Sequence, residues 1–183
     1  MTSAVRLRRA AVAERLLSSA PEAAAALDWD ALDRAPAWLA LPDPAFAAFQ
    51  CRVGAVLCGR SLRMWIDRGR IDAAQAVLGA TFLRALLAEG NSASAPSGLP
   101  ACPDIDTPAR VQPVLQAAGA SVLLAALPGG DLRDAVGMLL APASAARIGP
   151  ALARALVAHA ESLDAPAAAP GQARDAALQG AAP

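Results

Sequence analysis

After Pro44 the chain reads AFAAFQCRVGAVLCGRSLRMWID through Asp67, and a helix drawn through this run is apolar on almost every side. Phe46, Phe49, Val53, Val56, Leu57 and Met64 form one stripe at helical spacing. Cys51, Cys58, Leu62, Trp65 and Ile66 form a second, roughly opposite. The charges Arg52, Arg60, Arg63 and Asp67 crowd into one narrow sector at the edge of the first stripe. A helix apolar nearly all round belongs at the centre of a fold. Gly54 and Gly59 lie inside it, each costing about 1 kcal/mol relative to Ala. They admit a second helix at close range, or mark a break near Gly59, and Gly69 is placed to stop the helix.

The remainder must wrap around that rod. Of the 183 residues 56% are hydrophobic, but the largest share is Ala, which favours helix and buries little area. The core therefore leans on Leu, Val, Ile, Phe and Trp. With 15 Pro, 13 Gly, few β-branched residues and no Tyr, the composition argues against a large sheet. The pattern predicts helices over 4–19 and 22–27, then a turn capped by Asp28 and Asp30 with Trp29 and Trp38 as anchors. Arg9 falls near the apolar face of the first of these. Pro36, Pro42 and Pro44 make a cornered connection. A helix is expected from Ile71 to Glu89, ended by Gly90. Others are expected over 108–127, where Pro113 kinks the helix or delays its start, and from Asp131 as cap through Leu140. The last begins at Ser144 or Pro150 and runs through Leu163. The fold class is all-α: an irregular multi-helix single domain over 1–163. Its long polar loop, 90–108, is expected to be mobile, and the bulk-poor tail, 164–183, disordered.

Catalytic and metal chemistry find little support. No glycine-rich phosphate loop, nucleophile elbow or metal-ligand spacing occurs, and no cofactor is implied. His159, with Glu161 nearby, reads as a surface residue rather than an acid–base catalyst. Asp104 and Asp106 alone make a poor cation site. Cys51 and Cys58 lie one i, i+7 step apart and read as small buried apolar residues. Three cysteines without tight pairing, Cys51, Cys58 and Cys102, argue against a disulfide framework and fit a reducing compartment.

Basic and acidic residues balance at 16 each, and all the basic ones are Arg. No global field draws in nucleic acid. The uncharged stretch Val111–Gly130 is interrupted by Gln112, Pro113, Gln116 and Ser121, so no membrane insertion is expected. Arg6, Arg8 and Arg9 lead into Glu14 and Arg15 without an apolar run, which disfavours a signal peptide. The expected location is the cytoplasm. The densest local charge is Arg52, Arg60, Arg63, Arg68 and Arg70. Its plain reading is a solvated face paired with Asp67 and Asp72. Its functional reading is a docking patch for an acidic protein surface, since guanidinium groups suit carboxylates.

The run Cys51-Arg52-Val53-Gly54-Ala55-Val56-Leu57-Cys58-Gly59-Arg60-Ser61-Leu62-Arg63, with Ile66-Asp67 after it, resembles the Arg/Gly/Leu-rich stretch of the type III secretion accessory proteins of the YscK/PscK/OrgA (SctK) family. Leu78-Gly79 and Phe82-Leu83 are similar in placement. Gly119-Ala120-Ser121-Val122-Leu123-Leu124-Ala125-Ala126-Leu127-Pro128 and the block Leu132 to Pro142 resemble the family's small-residue helix, Pro-containing turn and Leu-rich segment. The likeness covers about half of the chain, centred on 45–142; the family's aromatic N-terminal segment is reduced to Trp29 and Trp38. The resemblance implies a non-enzymatic cytoplasmic adaptor of the injectisome sorting platform. Such a protein links the cytoplasmic domains of the inner-membrane ring to the cytoplasmic pod proteins and is held at the membrane face by protein contacts. The alternative is a type III secretion chaperone or generic helical adaptor holding a peptide in a groove. A helical transcription regulator and an unknown enzyme follow as weaker readings.

Overall fold

The computed structural model describes residues 3–25, 27–88, 102–140 and 148–164. Helix α1 spans Ser3–Ser19 and buries Val12 and Leu16; α2, Pro21–Ala25, follows a Pro start. Two 3-10 turns, Trp29–Arg34 and Ala37–Ala40, make the corner rich in proline. The Asp28 carboxylate caps the first by accepting from the Asp30 N–H at 3.0 Å. Trp38 is the anchor of this corner, buried and stacked on Phe46 with ring centroids 6.2 Å apart, whereas Trp29 lies at the surface.

Helix α3 runs Asp43–Leu57, with Asp43 and Pro44 in its first turn. Neither is disruptive there: the missing Pro N–H would have no intrahelical partner, and a carboxylate favours the positive end of the helix. The rod expected to reach Asp67 breaks at Cys58, which ends α3 and starts the short helix α4, Gly59–Arg63. Residues 64–67 are not helical. Asp67 restarts the chain, its Oδ1 accepting from the Arg70 N–H at 2.7 Å to cap α5, Arg68–Leu78. Gly69 therefore sits in the first turn of α5 and stops nothing.

The single helix expected over Ile71–Glu89 is two. Gly79 adopts φ 85°, and α6, Ala80–Ala88, departs from α5 at 116°. The bend lets Ala74 and Leu78 of α5 and Phe82, Leu83 and Leu86 of α6 reach one core. A 3-10 turn, Pro108–Arg110, leads into α7, Val111–Ala126, with Pro113 harmlessly in its first turn. Helix α8, Asp131–Leu139, is preceded by Gly130 at φ 110°; Asp131 is its first residue rather than its cap. Helix α9, Pro150–Asp164, takes the later of the two expected starts.

The architecture is all-α, with no strand among the described residues, and one continuous apolar cluster draws on α1 through α9. Its axis is the packing of α3 on α7, the most extensive contact between elements, with α9 laid against both. Gly54 and Gly119 set that packing. A Cβ on Gly54 would fall 2.9 Å from the Gly119 nitrogen, and one on Gly119 would fall 3.1 Å from the Gly54 nitrogen. Each would also overlap a carbonyl oxygen, of Leu115 and Gln50 respectively. Beside this crossing the buried Gln50 amide donates to the Gln116 carbonyl at 2.8 Å, so the one buried polar side chain among the described residues is satisfied.

The end of the loop expected to be mobile carries one buried side chain, Ile105. Residues 102–107 lie without helical structure against α3–α5, with Ile105 in the core. Residues 90–101 of that loop, and 165–183 of the expected tail, lie outside the described residues. Asp164 belongs to α9. No single helix among the described residues is long and apolar enough to cross a membrane; α5 and α6 pass that test only as a pair, and they are sharply bent.

Candidate functional site

The five arginines singled out by density do not form one patch. Arg52, on the buried rod α3, reaches outward to an ion pair with the Asp164 carboxylate at the end of α9, its guanidinium 5.6 Å from the Phe82 ring centroid. Arg63 turns from α4 to donate to the Leu86 carbonyl of α6 at 3.0 Å, satisfying an acceptor near that helix's C-terminal end. Arg70 donates to the Ile105 carbonyl at 3.0 Å and lies 5.5 Å over Trp65, with Asp67 at 3.8 Å. These three fasten elements together. They are half-buried, and the Nε atoms of Arg52 and Arg63 are buried without a hydrogen-bond partner.

Arg60 and Arg68 are exposed. Arg68 meets only Asp72 at 3.8 Å, an i, i+4 pair in full contact with water and so worth little. Between them stands the non-helical link 64–67, where Met64 is 75% exposed and Ile66 94%. Scattered apolar residues on a surface carry no message, but two such side chains within three residues, flanked by arginines, form a presented tip. Trp65 turns inward under Arg70 and holds the link from beneath. The tip arises because α4 ends after one turn, which places Met64 and Ile66 off the buried stripes to which helical spacing assigned them.

A disulfide joins Cys58 to Cys102, which corrects the expectation of unpaired cysteines. The two are 44 residues apart in sequence but 5.2 Å apart between Cα atoms, within ordinary bridging range. Sequence spacing could not show this, because the pairing depends on segment 102–107 folding back over the α3–α4 junction. The argument from cysteine count to a reducing compartment falls with it. The odd cysteine is Cys51, buried in α3, where burial pushes its thiol up to about 11.

Arg15 was not distinguished by sequence from its charged neighbours. Its guanidinium donates to the Leu39 carbonyl at 2.7 Å, to the Leu41 carbonyl and to Asp43 Oδ1 at 2.8 Å, and stacks 4.4 Å from the Phe46 centroid. It thereby fastens α1 to the Trp38–Pro42 corner. A cleft of about 490 Å³ opens beside it, between Asp43, Gln50, Pro113, Gln116 and Leu140. Its polar groups Arg15, Asp43 and Gln50 are already engaged within the chain. A second open cleft, about 440 Å³, lies between Arg34, Trp38, Arg154 and Glu161.

His159 is half-buried on α9, with its carbonyl accepting from the Ser162 hydroxyl at 2.7 Å. Asp106 pairs with Arg110 at 3.4 Å, and Asp104 is exposed. No group of three or more His, Cys, Asp or Glu side chains among the described residues is placed to hold a metal ion. A helical body presents an apolar tip, Met64 and Ile66, between two exposed cations, Arg60 and Arg68. No family model matches the chain, and no curated protein or solved structure matches it.

Proposed function

We propose that the protein is a non-enzymatic adaptor that docks an acidic protein surface through the Met64–Ile66 tip and the flanking Arg60 and Arg68. The observation that carries this reading is the exposure of Ile66, 94%, on a link braced from below by Trp65 and Arg70. An apolar centre with guanidinium groups at its margin suits a partner carrying a small apolar recess ringed by carboxylates. Within the resemblance to the SctK family, that partner is the cytoplasmic domain of the inner-membrane ring of a type III secretion apparatus, and a cytoplasmic pod protein is the second. The adaptor would stand at the cytoplasmic face of the membrane through these contacts. An interface on the order of 1,200–2,000 Å² in total is of the size that supports such a specific complex.

The test is binding of the ring component's cytoplasmic domain by the wild type, by Arg60→Glu/Arg68→Glu and by Ile66→Ser. Both variants are expected to weaken binding at least about tenfold, the charge reversal more strongly at low salt. Unchanged affinity in both would remove the surface from the reading. Arg63→Glu is unsuitable as a probe, because Arg63 fastens α4 to α6 and its loss would disturb the fold. Co-purification of an effector-like peptide in place of a ring or pod protein would favour the chaperone alternative.

A further inference from the structure

We propose that the Cys58–Cys102 bond is a reversible thiol–disulfide exchange site, acted on by a dithiol reductant, that controls how firmly the Met64–Ile66 tip is held. Cys58 is the hinge residue of the central rod, at once the end of α3 and the start of α4. Cys102 opens segment 102–107, which has no helical hydrogen bonds of its own. That segment is held at three points: the disulfide, the buried Ile105 side chain, and the Ile105 carbonyl on Arg70 Nη1. Arg70 in turn covers Trp65, the inward anchor of the tip. A continuous physical path thus runs from Cys102 through Ile105 and Arg70 to Trp65 and Ile66, and reduction removes its first fastening.

The two sulfurs are unequally placed. Cys58 is 1% exposed, while Cys102 is half-buried and is the residue a reductant meets first. The thiolate of a small dithiol protein attacks Cys102 Sγ, a mixed disulfide forms, and Cys58 leaves as a thiolate that takes a proton from water. The second thiol of the reductant, losing its proton, then attacks its own sulfur of the mixed disulfide. Cys102 departs as a thiolate and is protonated, and the reductant closes to its own disulfide. Two electrons pass, and Cys58 and Cys102 end as thiols. Cys51 takes no part: it is buried, and one i, i+7 step along α3 places it about 10 Å from Cys58. The inference agrees with the cytoplasmic adaptor reading, since disulfides in reducing compartments are characteristically transient or sensing. It shares the tip with that reading, but its test requires no partner.

The full chain, purified without reductant, is equilibrated across mixtures of reduced and oxidised dithiothreitol. Cysteines are counted by alkylation and mass spectrometry, and amide hydrogen exchange is followed over 60–72, 102–110 and α7. In the oxidised protein, alkylation in denaturant is expected to find Cys51 alone. In the reduced protein Cys58 and Cys102 become alkylatable, and amides in 64–70 and 102–108 exchange about tenfold faster or more while α7 stays protected. Cys58→Ser/Cys102→Ser is expected to show the faster exchange in every mixture, and Cys51→Ser to respond as the wild type does. Three alkylatable cysteines before reduction would overturn the proposal. So would a bond reduced only when α7 loses protection, or a reduction that leaves exchange in 64–70 unchanged. Because the wild type supplies the decisive comparison, poor folding of the double variant would not protect the idea.

Discussion

Gly54 of α3 and Gly119 of α7 meet back to back, so close that neither position has room for a methyl group. The contact is made by backbone against backbone, and it fixes the distance at which the two central helices, and hence α9 across them, can pack. Gly54→Ala or Gly119→Ala is expected to force the helices apart and lower stability by about 1–3 kcal/mol or more. Gly59→Ala is the control: its Cβ would meet nothing nearer than 3.5 Å, so the expected change is within about 1 kcal/mol of zero, with helix propensity favouring Ala. Urea denaturation of the three variants separates close approach from propensity.

Arg15 is the second structural dependence. Replacing it with Ala leaves the Leu39 and Leu41 carbonyls without their donor and removes the cover of Phe46. The expected loss is about 2–4 kcal/mol. Arg15→Lys should recover less than half, because one ammonium cannot span two carbonyls and a carboxylate while lying flat on a ring. Thermal unfolding of the pair measures this.

Cys51 makes stability fall with alkali. The unfolded chain ionises this thiol near 9.0, whereas the folded chain holds the proton to about 11. Between these values the unfolded state binds fewer protons, so stability is intact below pH 9 and declines as pH rises toward 11, by roughly 1–3 kcal/mol. With no Lys and no Tyr in the chain, and the other two cysteines bonded, no other cysteine, lysine or tyrosine titrates in this window. Cys51→Ala should flatten the profile when denaturant midpoints are compared from pH 8 to 11.

Asp164 ties the end of α9 to Arg52 on α3. Both side chains are partly exposed, at 45% and 26%, so Asp164→Asn is expected to cost only about 0.5–1 kcal/mol and to lose most of its effect in high salt. A larger effect that persists in salt would mean that the pair positions α9 rather than merely attracting it.

Much of the helical plan was legible because apolar spacing is local. The buried stripe of α3, the α1 span, the Asp28 cap and the α9 segment all follow from residues a few positions apart. Gly54 was readable as a point of close approach from its cost inside an apolar helix, although nothing in α3 alone named Gly119 as its counterpart. The arginine density misled because neighbours in sequence diverge in direction once the helix breaks at Cys58. Arg52, Arg63 and Arg70 then find partners on α9, α6 and the 102–107 segment. Only Arg60 and Arg68 of the five remain on a surface free to meet another protein.

By itself the sequence determined an all-α chain with a central apolar rod and a proline-cornered connection, because helix propensity and hydrophobic period act over a single turn or two. Tertiary structure alone decided the bend at Gly79, the pairing of Cys58 with Cys102, the buried employment of Arg15 and the presentation of Ile66. Each depends on which distant segment fills the space beside a residue, and that is set by packing the whole core at once rather than by any stretch of chain within it.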